Sequence, residues 1–180
     1  MTRYTMPAIL LHWLMALLII ATFLLGLQMT GMPGISPTKL KYFNWHKWMG
    51  VGVLLLATLR LLWRLGHAAP AYPASMPAWQ QRAAHSLHHL LYLLFFAVPL
   101  AGYFYSLAAG YPIVWFGVIP LPVLMEPDPD LKGLFLEAHK VLAWLMMLVV
   151  VAHIGAAIKH RIVDKDGIFE RMLPFGKDTH

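Results

Sequence analysis

The sequence predicts an all-α integral membrane protein, a four-helix bundle running up-down-up-down with both termini on the cytoplasmic side. Three observations lead there. Hydrophobic residues make up 59% of the 180 and charged residues 12%, with a mean hydropathy of +0.63, which is more apolar surface than one soluble core can hide. Four apolar runs each supply the roughly 20 residues that cross about 30 Å of hydrocarbon at a 1.5 Å rise per residue. Lysine and arginine, finally, are divided unevenly between the two ends of those runs.

The spans are expected near 8–29, 46–65, 84–106 and 135–158. The first follows Arg3 and looks superficially like a signal peptide. It has no small-residue cleavage site after it and exceeds a usual apolar signal core, so it is read as a retained helix. Its partner, the second span, opens at His46 and is joined to the third by the Pro-rich linker "APAYPASMPAW" at 69–79. A further run, "YPIVWFGVIPLPVLM" at 111–125, holds Pro112, Pro120 and Pro122 and is too short to cross, so it is expected to be an interfacial loop or cap resting on the bundle. The fourth span leads into "KHRIVDKDGIFERMLPFGKDTH", whose mixed charges place it at the inner membrane surface. No internal repeat divides the chain, so 1–180 is read as one transmembrane domain.

Orientation follows from the cations. Arg3, Arg60, Arg64, Arg82, Lys159, Arg161, Lys165, Arg171 and Lys177 fall at one end, and Lys39, Lys41, Lys47, Lys132 and Lys140 at the other. Nine against five puts the termini in the cytoplasm and the loops 30–45 and 107–134 outside. The net charge of +6 is therefore membrane asymmetry, with no nucleic-acid partner implied. Cysteine is absent, which excludes disulfides, thiolate metal sites, cysteine-ligated iron–sulfur clusters and thioether-attached haem.

The chemistry is carried by histidine. Imidazoles inside hydrocarbon are costly unless something satisfies them, and so mark candidate functional positions. His12 lies near the cytoplasmic start of the first span and His153 near the cytoplasmic end of the fourth. His46 and His139 open the second and fourth spans on the outer side. His139 and His153 are fourteen positions apart, so they return to within roughly 40° of one helix face and are separated by about 21 Å along it. Two depth-matched pairs from facing helices are what two six-coordinate b-type haems require, with small residues such as Gly50, Gly52, Gly102 and Gly155 making room. Zinc fits less well, because its sites gather three or four ligands and each layer supplies two.

The inner layer has an alternative. His85, His88 and His89 open the third span, and one of them could replace His12 as a ligand; equally, the three could be a hydrated interfacial cluster. Arg60 follows His46 by fourteen residues and so lies on nearly the same face at the inner depth, where a haem propionate would be its natural anion; snorkelling to headgroups is the other reading, and suits Arg64 better. His67 and His180 are expected at the surface. The tryptophans are expected near the helix ends, and Met146 and Met147 in packing roles.

The segments "ILLHW", "HKWMGVGVLLLATLRLLWRL", "AHSLHHLLYLLFFAVPLAGY", "EAHKVLAWLMMLVVVAHIGAAIKH" and "DKDGIFERML", in that order, resemble the bacterial cytochrome b561 family over nearly the whole chain. The resemblance implies a multi-pass protein of the bacterial inner membrane, with two b haems held by His12 with His153 and by His46 with His139. It also implies superoxide oxidase chemistry, with electrons from superoxide at the periplasmic face reaching ubiquinone, and with His88 and His160 near the quinone.

The outer lysines could form a positive mouth for a small anion, although Glu126, Asp128, Asp130 and Glu137 leave only a net +1 there. A second reading is therefore carried alongside: an electron-carrier cytochrome b subunit serving a periplasmic redox protein, without superoxide activity. A third is a non-redox scaffold or small transporter whose histidines relay protons.

Overall fold

The computed structural model describes residues 3–174, so Lys177 and His180 lie outside the described residues. Four long helices account for most of it: α1 (Met6–Gly31), α2 (Pro37–Gly66), α3 (Ala78–Ala108) and α4 (Pro129–Lys159). All four are long and apolar enough to cross a membrane. Successive helices run antiparallel, since His12 near the start of α1 meets His153 near the end of α4, while His46 in the first half of α2 meets His139 in the first half of α4.

Each helix is longer than its apolar run. Helix α2 starts nine residues before His46, because Ser36 caps it, its Oγ accepting from the Lys39 amide at 3.2 Å, and Pro37 takes the first turn, where no N–H is needed. Helix α4 starts at Pro129 for the same reason, the Asp128 carboxylate accepting from the Asp130 and Leu131 amides at 2.9 and 3.0 Å. Residues 37–45 of the expected outer loop 30–45 and residues 129–134 of the loop 107–134 are therefore helical, and His46 and His139 lie well inside their helices instead of opening them. Helix α3 ends in a Schellman turn: Gly110, at φ 79°, and Tyr111 donate back to the Leu107 and Ser106 carbonyls, both at 2.8 Å.

The run at 111–125 is a cap on the bundle, as its prolines suggest, but it is built as a hairpin. Strand β1 (Val114–Trp115) pairs antiparallel with β2 (Ile119–Pro120). The hairpin is tied to α2 by two indoles: Trp48 Nε1 donates to the Val114 carbonyl at 2.8 Å, and Trp115 Nε1 to that of Trp48 at 3.1 Å. Phe116 sits at its tip with φ 52°, a left-handed conformation unfavourable for an aromatic residue, and its ring packs on Trp48 and Trp115.

The opposite end carries the first and last described segments. After α4 a π-turn (His160–Asp164) and a 3₁₀ turn (Phe169–Met172) fold the chain back under the bundle. Trp13 Nε1 donates to the Met172 carbonyl at 2.7 Å, Arg3 donates to the Leu173 carbonyl, and Arg171, only 8% exposed, donates to Ala71 of the linker at 2.7 Å. The tail thus binds the N-terminal segment and the α2–α3 linker together.

Between these ends lies the core: Met15 and Ile19 of α1, Val53 and Ala57 of α2, Leu91, Leu94, Phe95 and Val98 of α3, Met146 and Val149 of α4. Met146 is buried in this core and Met147 packs against the core, as expected of packing residues. Leucine, isoleucine and valine dominate the outward faces, Leu17, Leu59, Leu148 and Val151 among them, which is stable only against hydrocarbon. Trp144 departs from expectation, standing midway along α4 with its ring edge-on to Phe23 at 5.1 Å. Backbone packing is close between α3 and α4, α1 and α2, and α2 and α3. Between helices α1 and α4, Phe23 meets Trp144 and His12 meets His153 through their rings.

Candidate cofactor sites at the two ends of the bundle

The core layer separates two histidine clusters. At the hairpin end, His46 and His139 face each other with ring centroids 6.0 Å apart and planes at 89°. At the terminal end, His12 and His153 are 6.1 Å apart at 64°. A metal ion bonded at about 2.0 Å to one nitrogen of each of two opposed imidazoles puts the ring centroids roughly 6 Å apart, so both spacings suit one ion held between two rings.

The hairpin-end rings are fixed from behind. His46 Nδ1 lies 3.0 Å from the Thr22 carbonyl oxygen and His139 Nδ1 lies 2.9 Å from that of Val98. A carbonyl only accepts, so each Nδ1 carries the proton and each Nε2 keeps its lone pair, the arrangement that metal-bound histidines show. Gly102 makes room for the His139 ring itself, since a Cβ there would fall 2.9 Å from it. Gly26, which sequence reasoning missed, does the same for His46 at 3.1 Å; its signal was a glycine on the first span at the depth of His46. Of the other glycines expected to make room, a Cβ at Gly52 would lie 3.2 Å from the Leu18 side chain, and one at Gly50 or Gly155 would meet nothing within 4 Å.

The terminal end is more crowded. His88 of α3 approaches His153 to 5.3 Å, closer than His12 does and nearer than two rings sharing one ion would stand, and its Nδ1 donates to the Ala84 carbonyl of its own helix at 2.7 Å. His85 and His89 turn away, His85 against Tyr72 and His89 onto the carbonyl of His85. The Nδ1 of His12 is buried with no hydrogen-bond partner among the described residues. His12, His88 and His153 do not converge as a three-nitrogen metal site; among the described residues, only His160, Asp164 and Asp166 bring three ligand atoms within 4.8 Å of one another.

Arg60 stands beside this cluster, within electrostatic reach of His12, His88 and His153, with its guanidinium 5.7 Å over the Tyr92 ring. No carboxylate pairs with it among the described residues. Arg64 instead caps its own helix end, donating to the His67 carbonyl at 3.0 Å, and His67 is exposed and stacked on Trp63. His160 is set apart from the ring pairs, its Nδ1 2.7 Å from an Asp166 carboxylate oxygen and 3.3 Å from one of Asp164.

Four of the five lysines at the hairpin end have close neighbours, and Lys41, Lys132 and Lys140 are exposed. Lys39 donates to the Met32 carbonyl at 2.6 Å, Lys41 lies over Trp45, Lys47 lies over Tyr111, and Lys140 pairs with Glu137 at 2.8 Å. Beneath the hairpin, a cavity of about 310 Å³ between Leu18, Trp45, Trp48, Met49, Gly52, Trp115 and Phe116 is almost wholly apolar.

Comparison with known proteins agrees with this architecture. The family model of prokaryotic cytochrome b561 matches residues 3–175. The chain is 34% identical over 172 residues to cytochrome b561 homolog 2 of Escherichia coli (strain K12), covering 95% of this chain and 91% of that protein. It is 30% identical over 177 residues to cytochrome b561 homolog 1 of the same organism, covering 97% and 98%. Probable superoxide oxidase CybB of Yersinia pestis is 29% identical over 176 residues, covering 96% of each. With four spanning helices and a match along nearly its whole length, the chain belongs to the prokaryotic cytochrome b561 family of membrane electron-transfer proteins, a multi-pass bacterial membrane cytochrome of the haem b class.

Proposed function

We propose that the whole chain is one di-haem unit moving electrons between the periplasmic face and the quinone pool, in the manner of a superoxide oxidase. The observation that carries this reading is the pair of opposed imidazoles at each end of the bundle, 6.0 and 6.1 Å apart. His46 and His139 would hold one haem b, and His12 and His153 the other. The fit rests on the free Nε2 atoms of the first pair, the room that Gly26 and Gly102 leave beside those rings, and the matching ring spacings of both pairs. A bound haem supplies a site that takes up and gives back one electron at a time.

The remaining roles belong to the chain. Arg60, with no carboxylate of its own, would neutralise a haem propionate at the terminal end. That end is the cytoplasmic one, because it carries the excess of lysine and arginine. His88 and His160 lie at that end, and we assign them to a ubiquinone pocket, where the carboxylate-held His160 could pass a proton to reduced quinone. The superoxide assignment draws on the relative named as a probable superoxide oxidase.

The second reading, a carrier serving a periplasmic redox protein, gains from the engagement of Lys39, Lys41, Lys47 and Lys140. It gains also from the exposed Phe116, Val118 and Ile119 of the hairpin, an apolar tip that a protein could cover. Haem content by pyridine haemochrome, followed by superoxide-driven quinone reduction in the purified protein, tests the proposal. Two haems with rapid quinone reduction support it. Two haems without superoxide activity favour the carrier, and no haem removes both.

A further inference from the structure

The two histidines at the hairpin end are held by one device used twice. His46 donates to the carbonyl of Thr22 and His139 to that of Val98, and in each case a glycine follows that carbonyl by four residues, Gly26 and Gly102. The spacing has a physical basis. A helical carbonyl already accepts the N–H of the residue four ahead, and that residue's side chain leans back towards the N-terminus, over the carbonyl's remaining lone pair. Glycine there leaves the lone pair bare. A Cβ at Gly26 would lie 3.1 Å from His46 Cε1 and 3.4 Å from Nδ1; at Gly102 it would lie 2.9 Å from His139 Cε1 and 3.0 Å from Nδ1. By contrast, Gly31, Gly50, Gly66, Gly133 and Gly155 would place a Cβ in open space.

The terminal end lacks the device. His12 Nδ1 has no partner, and no ring hydrogen bond reaches His153 among the described residues. An imidazole whose Nδ1–H is given to a fixed acceptor is the more basic ligand and favours the more positive state of the metal it binds.

We infer that Gly26 and Gly102 are positioning residues of the hairpin-end centre. By baring the Thr22 and Val98 carbonyls they hold His46 and His139 as Nδ1–H tautomers with Nε2 free, and they give this centre a lower reduction potential than the His12–His153 centre. The inference rests on the axial roles proposed above for these four histidines.

The test uses the full-length, haem-loaded protein in detergent. Midpoint potentials and low-spin electron paramagnetic resonance signals of the two haems are measured in the wild type, Gly26→Ala, Gly102→Ala and Gly133→Ala, the hairpin-end signal being the one lost in His46→Ala. The hairpin-end centre should be the lower-potential one. In Gly26→Ala and Gly102→Ala its potential should rise, its signal should shift and its haem should be held about 10–100-fold more weakly. The other centre, and both centres of Gly133→Ala, should stay as in the wild type. If Gly102→Ala does not accumulate, Gly26→Ala carries the test with its looser contact. An unmoved potential and signal in the glycine variants, or a hairpin-end centre of higher potential, overturns the inference. A wild type with fewer than two haems, or a His46→Ala variant that keeps both, overturns the axial assignment instead, and the inference with it.

Discussion

His12 of α1 and His153 of α4 oppose one another at 6.1 Å, while His88 of α3 stands 5.3 Å from the same His153 ring. The shorter approach is the less suitable for sharing a metal ion, because the His88 and His153 rings lie nearer than the roughly 6 Å at which two opposed ligands stand.

His12→Ala should therefore remove one haem of two, and His88→Ala should retain both. Pyridine haemochrome with reduced-minus-oxidised spectra decides it. Loss of haem in His88→Ala with none lost in His12→Ala would transfer the ligand to α3.

At the other end, His46→Ala and His139→Ala should each abolish one haem and leave a spectrally normal partner. The loss should be the same haem in both variants, since the two rings face each other. Removal of different haems by the two variants would break the pair.

Arg60→Ala should lower the potential of the terminal-end haem, because loss of a nearby positive charge favours the more positive oxidised state. A tenfold shift of a one-electron equilibrium corresponds to about 59 mV, and a fall of this order is expected, with Arg60→Lys smaller. Redox titration reads it, and an unchanged potential would return Arg60 to headgroup contact.

Arg171→Ala should cost about 2 kcal/mol, from the lost bond to the Ala71 carbonyl and the loss of a buried side chain. For a chain of this size that is a fall in Tm of roughly 4–8 °C. Thermal denaturation in detergent measures it, and haem content at low temperature should be preserved.

His160→Ala should slow quinone reduction while keeping both haems, since its ring is tied to Asp166 and Asp164 and lies apart from the imidazole pairs. Steady-state quinone reduction beside haemochrome separates these effects. Undiminished turnover would place the quinone elsewhere.

Much of this was legible in the sequence. Apolar length gave the helices, and helix periodicity brought His139 and His153 to one face at two depths, because both depend on local repeats alone. The early starts of α2 and α4 were missed although Ser36-Pro37 and Asp128-Pro129 signal them, because apolar content marks where hydrocarbon begins and not where backbone hydrogen bonding does. The hairpin was hidden because its two-residue strands carry too little alternation to register against Pro112, Pro120 and Pro122. Nothing local could have paired Gly26 with His46 or Gly102 with His139, since those contacts join different helices. The Lys47 contact is tertiary too: Lys47 finds Tyr111 only once the loop after α3 has folded over α2.

The buried layer between the histidine pairs has a bearing on energy conversion. Met15, Ile19, Val53, Ala57, Leu94, Val98, Met146 and Val149 bring no side-chain hydroxyl, amide or titratable group to it. These residues offer protons no relay, the one phenol packed against them being that of Tyr92 beside Arg60, so an electron crossing them would travel without a compensating charge. Each passage would then alter the voltage across the membrane, and the layer would act as the dielectric of a capacitor that the protein itself charges or drains.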